Sequence, residues 1–299
     1  MKPLYLIILL ALNVVWAATL SIYKALGPYL EPGGIVTMRF GIAAVSLLLL
    51  WPWLPGQAPR GRDLLKTCIL GLVVFVLGHR LQVFGNHLST ASNSSILTAT
   101  EPLITSVAAA IFLREHIGPR RMLGFALGMA GVALLNGVWR ADFKWLSLGA
   151  SAIFVSSFVC ETALSVAGKP IIARASPIKF AALALAAGTL ANLLLDGGQT
   201  LTAMAHLPAS AWPLLLVIGL IGTAFGYAFW FVVIRESEVN LAAMTIFLQP
   251  VCGVLTARLW LGESLHWGHL WGSAAIVFGL VVGLSRQIKS SAETKPLER

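Results

Sequence analysis

Long apolar stretches alternate with short polar connections along the whole chain. Each apolar stretch is close to the roughly 20 residues that a helix needs to cross a hydrocarbon core of about 30 Å. There are ten of them, at residues 4–27, 34–54, 64–85, 92–113, 121–139, 146–167, 178–196, 212–234, 240–261 and 267–285. The connections are too short to hold a soluble domain. The pattern therefore predicts an all-α, polytopic membrane protein with ten transmembrane helices.

The composition agrees with a membrane protein and excludes a soluble globule. Of the 299 residues, 58% are hydrophobic and 11% are charged, and the mean hydropathy is +0.84. The net charge of +9 would suggest a nucleic-acid partner in a soluble protein. Here the basic residues follow the topology instead: with the N-terminus in the cytoplasm, fifteen Lys and Arg fall on the cytoplasmic side and five on the outer side. This bias predicts a lipid partner, no nucleic acid, and two cytoplasmic termini.

The second half of the chain repeats the first at an offset of 148 residues. The offset aligns, without a gap, Gly71 with Gly219, Gly78 with Gly226, Glu101-Pro102 with Gln249-Pro250, Glu115 with Glu263, Gly124 with Gly272 and Gly131 with Gly279. Each half holds five spans, an odd number, so the second half must be inverted relative to the first. We predict two inverted five-helix repeats at 1–140 and 145–288, and a disordered cytoplasmic tail at 289–299. Inverted repeats are typical of transporters that expose one site to each side of the membrane in turn.

Two paired motifs carry a resemblance to a known family. Pro102 is followed by Glu115 thirteen residues on, and the spacing recurs at Pro250 and Glu263. Together with Trp16, Pro32 and Arg39 and with ten spans, this pattern resembles the drug/metabolite transporter superfamily, in particular its EamA-type ten-helix members. The resemblance covers nearly the whole chain. It implies a bacterial inner-membrane carrier that works without nucleotide hydrolysis, commonly an exporter of amino acids or related metabolites. The chain departs from the family pattern in the acid Glu101 and in the polar pair His79-Arg80.

Polar side chains recur at helical spacing on spans four and nine. Span four carries Ser94, Thr98, Glu101 and Thr105 on one face, and span nine carries Thr245, Gln249, Cys252 and Thr256 at the same spacings. A charge at the bilayer centre costs roughly 2.5–3.5 kcal/mol on insertion scales, so Glu101 indicates a polar cavity. We interpret the two stripes as opposite walls of one central cavity. The alternative for each hydroxyl is a hydrogen bond to its own helix backbone.

Other spans add candidate residues to the same cavity. Span three offers a polar face with Arg80 beside it, span six offers Glu161, and spans one and eight offer aromatic rings that either form apolar walls or only pack. Glu115 and Glu263 are expected to cap the starts of helices five and ten. The predicted substrate-binding residues are Trp16, Tyr23, His79, Arg80, Gln82, Thr98, Glu101, Glu161, Tyr227, Trp230, Thr245 and Gln249.

These residues favour a secondary carrier over an enzyme. The sequence has no P-loop, GxSxG or HExxH motif and no metal-ligand spacing, so we expect no catalytic activity and no cofactor. The first hypothesis is export of a zwitterion, most plausibly an amino acid, by alternating access. His79 or Arg80 would bind its carboxylate and Glu101 its amine. The same carboxyl group could bind a proton in place of the amine, which leaves proton coupling open.

The second hypothesis keeps the architecture and changes the cargo. A multidrug or cationic-compound exporter, or an exporter of nucleobase-type compounds, would use Glu101 together with the aromatic walls. For the assembly we expect a monomer or a weak dimer, because glycine pairs such as Gly124/Gly128 and Gly279/Gly283 serve either packing inside the chain or a dimer seam.

Overall fold

The chain folds into a bundle of helices. The computed structural model describes residues 1–88, 91–141, 143, 148–261 and 267–293, and within these residues no strand occurs. The helices are α1 (Pro3–Leu26), α2 (Pro32–Leu49), α3 (Arg62–His87), α4 (Ala91–Thr98 and Glu101–Leu113), α5 (Pro119–Leu135), α6 (Leu148–Ile172), α7 (Pro177–Ala205), α8 (Ala209–Glu236), α9 (Val239–Met244, Thr245–Phe247 and Leu248–Leu261) and α10 (Trp267–Glu293). The prediction of an all-helical, polytopic membrane protein is confirmed.

Most of these helices are long and apolar enough to cross a bilayer. Eight in the described part meet both criteria, and the apolar part of α9, Val239–Leu255, is shorter. Helix α5 has 17 residues and carries Arg120 and Arg121 in its first turn; at 1.5 Å per residue it still rises about 25 Å. Helices α5 and α9 therefore complete the ten helices that the sequence predicts.

One helix boundary was predicted wrongly and one stays a prediction. Span seven was expected to end at residue 196, where an aspartate and two glycines follow an apolar run. The helix continues to Ala205, because the Asp196 carboxylate has partners inside the protein and need not leave the bundle. Helix α10 ends at Glu293 and so includes part of the predicted tail, while residues 294–299 lie outside the described residues.

Irregular backbone occurs at matching places in the two halves. Helix α3 widens into a π-helical segment at Val73–Gly78, and α8 does so at Val217–Phe225. Helix α4 is interrupted just before Glu101, and α9 passes through a 3₁₀ turn at Thr245–Phe247. Prolines 102 and 250 follow these two interruptions, and each lacks the N–H that a regular helix would need there. The two halves of the sequence thus form irregular helix segments at similar positions.

Glycines let α5 and α10 pack backbone to backbone. A Cβ added to Gly124 would lie 2.7 Å from the carbonyl oxygen of Gly279, and one added to Gly131 would lie 2.7 Å from that of Gly272. The repeat offset pairs Gly124 with Gly272 and Gly131 with Gly279. Gly124 therefore contacts the counterpart of Gly131, and Gly131 contacts the counterpart of Gly124. Such reciprocal contacts are expected of two copies related by a two-fold axis. These glycines therefore pack inside the chain, whereas the inverted orientation and the oligomeric state stay predictions.

A polar cluster joins three connections at the end of the bundle where the N-terminus lies. Glu115 accepts hydrogen bonds from the backbone N–H groups of Val239 (2.7 Å) and Asn240 (3.0 Å), and Lys169 Nζ lies 2.7 Å from the Glu115 carboxylate. Arg121 pairs with Glu238 beside it. Glu115 does cap a helix, but the helix is α9 and not α5 as expected from the sequence. Its counterpart Glu263 lies outside the described residues.

A second polar network ties α2, α3 and α7 together within the membrane. Arg80 Nε donates to Asn192 Oδ1 (2.9 Å), and Arg80 Nη2 lies 2.5 Å from Asp196 Oδ2. The other Asp196 oxygen accepts a hydrogen bond from Thr37 Oγ1 at 2.7 Å. Each charge in this network has an opposite charge and hydrogen-bond partners, which is what makes a buried ion pair tolerable.

Replacing Gly272 by alanine should destabilise the protein. Its Cβ would lie 2.6 Å from the carbonyl oxygen of Gly131 and 2.6 Å from the backbone nitrogen of Leu135, and backbone atoms cannot move aside as a side chain can. Overpacking of this kind costs about 1–3 kcal/mol, so the thermal midpoint in detergent, followed by circular dichroism, should fall by several degrees. Gly198→Ala is the control, since nothing lies within 4 Å of its added Cβ. Equal midpoints for the two variants would contradict the described packing.

Breaking the Arg80–Asp196 pair from one side should cost more than removing both charges. Asp196→Asn leaves Arg80 without a counter-charge and should lower stability by about 2 kcal/mol, less than for a fully buried pair because the Arg80 side chain is 29% exposed. The double variant Arg80→Gln/Asp196→Asn should recover part of that loss in the same thermal measurement. Strictly additive losses would show that the two side chains act independently.

Candidate functional site

A pocket lies in the middle of the bundle, between α1, α2, α3, α4, α6, α8 and α9. It contains about 810 Å³ of space free of protein atoms, counted out to the solvent. The residues that line it are Trp16, Thr19, Arg39, His79, Gln82, Thr98, Glu101, Thr105, Glu161, Ser165, Tyr227, Trp230, Ile246 and Gln249. Helices α5, α7 and α10 contribute none of these residues. A lining that combines charged and polar side chains with aromatic rings inside a membrane protein indicates a binding cavity.

The irregular helix segments bring the polar side chains to this pocket. The π-helical segment of α3 ends one residue before His79, and that of α8 ends two residues before Tyr227. The interruption of α4 comes directly before Glu101, and the 3₁₀ turn of α9 holds Ile246. In a bilayer, backbone that departs from the helix is tolerated where it faces protein or a cavity. The same sequence features that break the helices therefore locate the site.

Glu161 is held in a compact polar triad with His79 and Tyr227. His79 Nε2 lies 2.6 Å from Glu161 Oε1, the Tyr227 hydroxyl donates to the same oxygen at 2.8 Å, and His79 Nε2 is 2.9 Å from the Tyr227 oxygen. His79 and Tyr227 are 148 residues apart, the repeat offset, so equivalent positions of the two halves touch each other. The Glu161 carboxylate is thus engaged by protein groups on one side of the pocket.

Glu101 stands in contrast to Glu161. Its carboxylate lines the pocket and accepts no hydrogen bond and forms no ion pair with any other residue that the structure describes. Its counterpart Gln249 is engaged: Gln249 Nε2 donates to Asn13 Oδ1 at 3.0 Å, and Asn13 Nδ2 donates to Thr245 Oγ1 at 3.1 Å. These two equivalent positions of the repeat therefore differ. One presents a carboxylate without a partner, and the other presents an amide already bonded to protein.

Arg39 supplies the positive charge of the pocket. The side chain is buried, with 3% of its surface exposed. Its Nε donates to Thr223 Oγ1 at 2.6 Å, and its Nη1 donates to the Tyr23 hydroxyl. The guanidinium also lies over the rings of Tyr23 and Phe40, at 5.7 and 5.3 Å from their centroids. The guanidinium plane is therefore held by neutral groups.

Two tryptophans form the apolar wall. Trp16 Nε1 donates to the carbonyl of Gly222 at 2.8 Å, and Trp230 Nε1 donates to Ser165 Oγ at 3.0 Å. The two rings meet edge to face with centroids 6.1 Å apart. Because both indole N–H groups are satisfied by protein, the rings offer the pocket their apolar surface.

Nine of the twelve predicted site residues line the pocket, and three do not. Arg80 points to Asp196, Tyr23 supports Arg39 from behind, and Thr245 bonds to Asn13 and to the carbonyl of Ala242. The lining residues absent from the predicted set are Thr19, Arg39, Thr105, Ser165 and Ile246. For Arg39 a signal existed in its place inside span two, and for Thr105 in the stripe of span four. Thr19, Ser165 and Ile246 carry no distinguishing pattern.

Comparison with known proteins places the chain in a family. The sequence profile of the EamA-like transporter family matches residues 3–137 and again residues 147–284. Relatives include an "uncharacterized transporter" of Archaeoglobus fulgidus, 24% identical over 92% of this chain and 97% of the relative, and the "uncharacterized inner membrane transporter YedA" of Escherichia coli K12, 28% identical over 92% and 88%.

Two further comparisons concern a named exporter and a solved structure. A "probable terminal-alkyne amino-acid exporter" of Streptantibioticus cattleyicolor is 26% identical over 90% of this chain and 93% of the relative. A solved crystal structure with 17% sequence identity shares the fold, with a TM-score of 0.75 over 97% of this chain and all of the other. The two family matches together cover most of the sequence, and this membrane protein belongs to the EamA-like transporter family.

Proposed function

We propose that this transporter is a secondary carrier that exports small metabolites, amino acids foremost, across the bacterial inner membrane by alternating access. The observation that carries the proposal is the central pocket, which presents the Glu101 carboxylate, without a partner among the described residues, together with the buried Arg39 cation. A pocket with both charges suits a zwitterion. The relative named as a probable amino-acid exporter supports the same class of cargo. The sequence contains no P-loop, so the energy is expected to come from gradients.

The paired irregularities support alternating access. In transporters built from inverted repeats, the midplane site is typically formed by helices that are interrupted next to it. Helices α3, α4, α8 and α9 are irregular beside the pocket. At the N-terminal end of the bundle, the Glu115 cluster holds the start of α9 against α6 and the α4–α5 connection. Access from that end would require these contacts to separate, and they are short polar contacts that can re-form.

Glu101 is the group we assign to the substrate's amine. A carboxylate without a partner in a cavity gains most from a bound cation, since charge-assisted hydrogen bonds are about twice as strong as neutral ones. A proton can satisfy the same carboxyl when no amine is bound. Amine and proton would then compete for Glu101, which is the arrangement required for exchange of substrate against protons.

A second candidate cargo has its own supporting observation. Trp16, Trp230 and Tyr227 line the same pocket as Glu101, and aromatic rings in one pocket with a carboxylate suit flat or organic cations. An exporter of cationic drugs or nucleobase-type compounds would use these groups and would have no need of Arg39. Competition experiments separate the two cargoes, because such an exporter would ignore unlabelled amino acids.

Purified protein in liposomes should take up a restricted set of labelled amino acids with saturable kinetics. Uptake would be measured for all twenty with and without a pH gradient, against empty liposomes as the control. Members of the transported set should compete with each other, because they share one pocket. Uptake of cationic dyes or nucleobases, with no amino acid transported by protein that circular dichroism shows to be folded, would favour the second cargo.

Glu101→Gln should abolish the response of transport to a pH gradient. Glutamine keeps the shape of the side chain and cannot bind a proton or balance an ammonium group. Uptake at saturating substrate should therefore be insensitive to the gradient, and the apparent KM for amines should rise at least about tenfold. Glu236→Gln is the matched control, since Glu236 pairs with Lys2 at 2.8 Å outside the pocket and should keep the wild-type response. A Glu101→Gln protein that still responds to the gradient would remove Glu101 from proton exchange.

A further inference from the structure

We propose that Arg39 binds the carboxylate of the substrate, so that transported compounds must carry a carboxylate as well as an amine. The inference rests on the proposed transport function and makes its substrate class specific. It replaces the assignment of that role to His79 or Arg80. His79 has only Nδ1 without a partner, and its Nε2 is engaged by the Glu161 carboxylate, which would repel the carboxylate of a substrate. Arg80 pairs with Asp196 away from the pocket.

The hydrogen bonds of Arg39 leave one of its nitrogens available. Thr223 accepts from Nε and Tyr23 accepts from Nη1, while Nη2 has no hydrogen-bond acceptor among the described residues. Arg39 is buried, with 3% of its surface exposed, and it lines the pocket. A ligand oxygen in the pocket would supply that acceptor.

The charge balance leads to the same conclusion. Among the ion pairs of the described residues, Lys169 has Glu115, Arg121 has Glu238 and Arg80 has Asp196. Arg39 forms no ion pair with any described acid, although it lies deeper in the bundle than Lys169 or Arg121. The rings of Tyr23 and Phe40 provide part of the compensation. The Glu161 carboxylate of the same pocket is engaged by His79 and Tyr227. A buried cation with no acid in direct contact is unfavourable, and within membrane segments such a residue marks a ligand pathway.

The surroundings of Arg39 also orient it for a carboxylate. Two hydroxyls on different helices, Tyr23 on α1 and Thr223 on α8, fix the plane of the guanidinium from two directions. A guanidinium held in one plane loses little rotamer entropy on binding and matches the planar carboxylate group. Neutral hydroxyls fix this orientation without neutralising the charge. The site is therefore preorganised for an anion and not filled by one from the protein.

The first test compares amino acids with their primary amides in the wild-type protein. Labelled uptake would be competed with the matched pairs leucine and leucinamide, phenylalanine and phenylalaninamide, and threonine and threoninamide. Each amide keeps the amine and side chain and loses the carboxylate. For each amino acid that competes, the amide should need at least about a tenfold higher concentration for half-inhibition. Equal competition by acid and amide would overturn the role of Arg39 and leave the transport of compounds with an amine standing.

The second test removes the guanidinium. Arg39→Gln should lower the discrimination between acid and amide to near unity, and Arg39→Lys should retain part of it because the charge remains without the planar fork. Arg80→Lys is the matched control, since it changes an arginine of a neighbouring helix outside the pocket and should keep the wild-type ratio. Thr223→Val and Tyr23→Phe each remove one hydroxyl that accepts a hydrogen bond from Arg39. Each should reduce the acid-to-amide discrimination less than Arg39→Gln does.

The outcomes separate the inference from the function on which it rests. Unchanged discrimination in folded Arg39→Gln, or a loss of discrimination in Arg80→Lys as large as in Arg39→Gln, would overturn the inference and leave the carrier function standing. Absence of uptake for every amino acid and every amide would overturn both. If Arg39→Gln does not fold, the wild-type acid-to-amide ratio and the Arg39→Lys and Thr223→Val variants still decide the matter.

Discussion

The structure depends on one constraint: inside a bilayer every backbone polar group must find a partner within the protein. The constraint makes the described chain helical apart from its short connections, and it confines broken helices to places where protein or a cavity covers them. The two π-helical segments and the interruptions in α4 and α9 meet these conditions around one pocket. Lipid cannot satisfy the carbonyls freed by Pro102 and Pro250, so both prolines belong on the inner side of the bundle. The site therefore lies where irregular backbone is tolerated.

Local patterns predicted most of the fold and part of the site, for reasons visible in particular residues. The apolar period gave all ten helices, and the spacing of Thr98 and Glu101 placed both on one pocket wall. The sequence analysis placed Arg80 in the pocket and left Arg39 out, whereas the structure has Arg39 in the lining and Arg80 paired with Asp196. Arg80 is recognised as a structural residue only through Asp196, which lies 116 residues away on α7. The depth of a residue in its span can be predicted from the sequence, but its hydrogen-bond or ion-pair partner on another helix cannot. Thr245 was misplaced for the same reason, since its partner Asn13 is on α1.

Charge is distributed according to two different rules in this protein. Toward the ends of the helices, acids and bases are matched, as in Lys169 with Glu115 and Arg174 with Asp63. In the pocket, Glu101 and Arg39 are left without such partners. Charges arranged in this way lower the stability of the empty protein and raise its affinity for a complementary ligand, which is the usual exchange between stability and function. A bound zwitterion should accordingly raise the thermal stability of the protein.

The contact between His79 and Tyr227 has a consequence for how the two halves came to differ. When two copies of one sequence pack around a two-fold axis, a residue on the axis meets its own copy. If the two copies are separate chains of the same sequence, such a position holds two identical side chains. The observed pair is a histidine against a tyrosine, and both contact the Glu161 carboxylate of the second half. Two copies joined in one chain are free of that restriction, so this position can carry a histidine on one side and a tyrosine on the other.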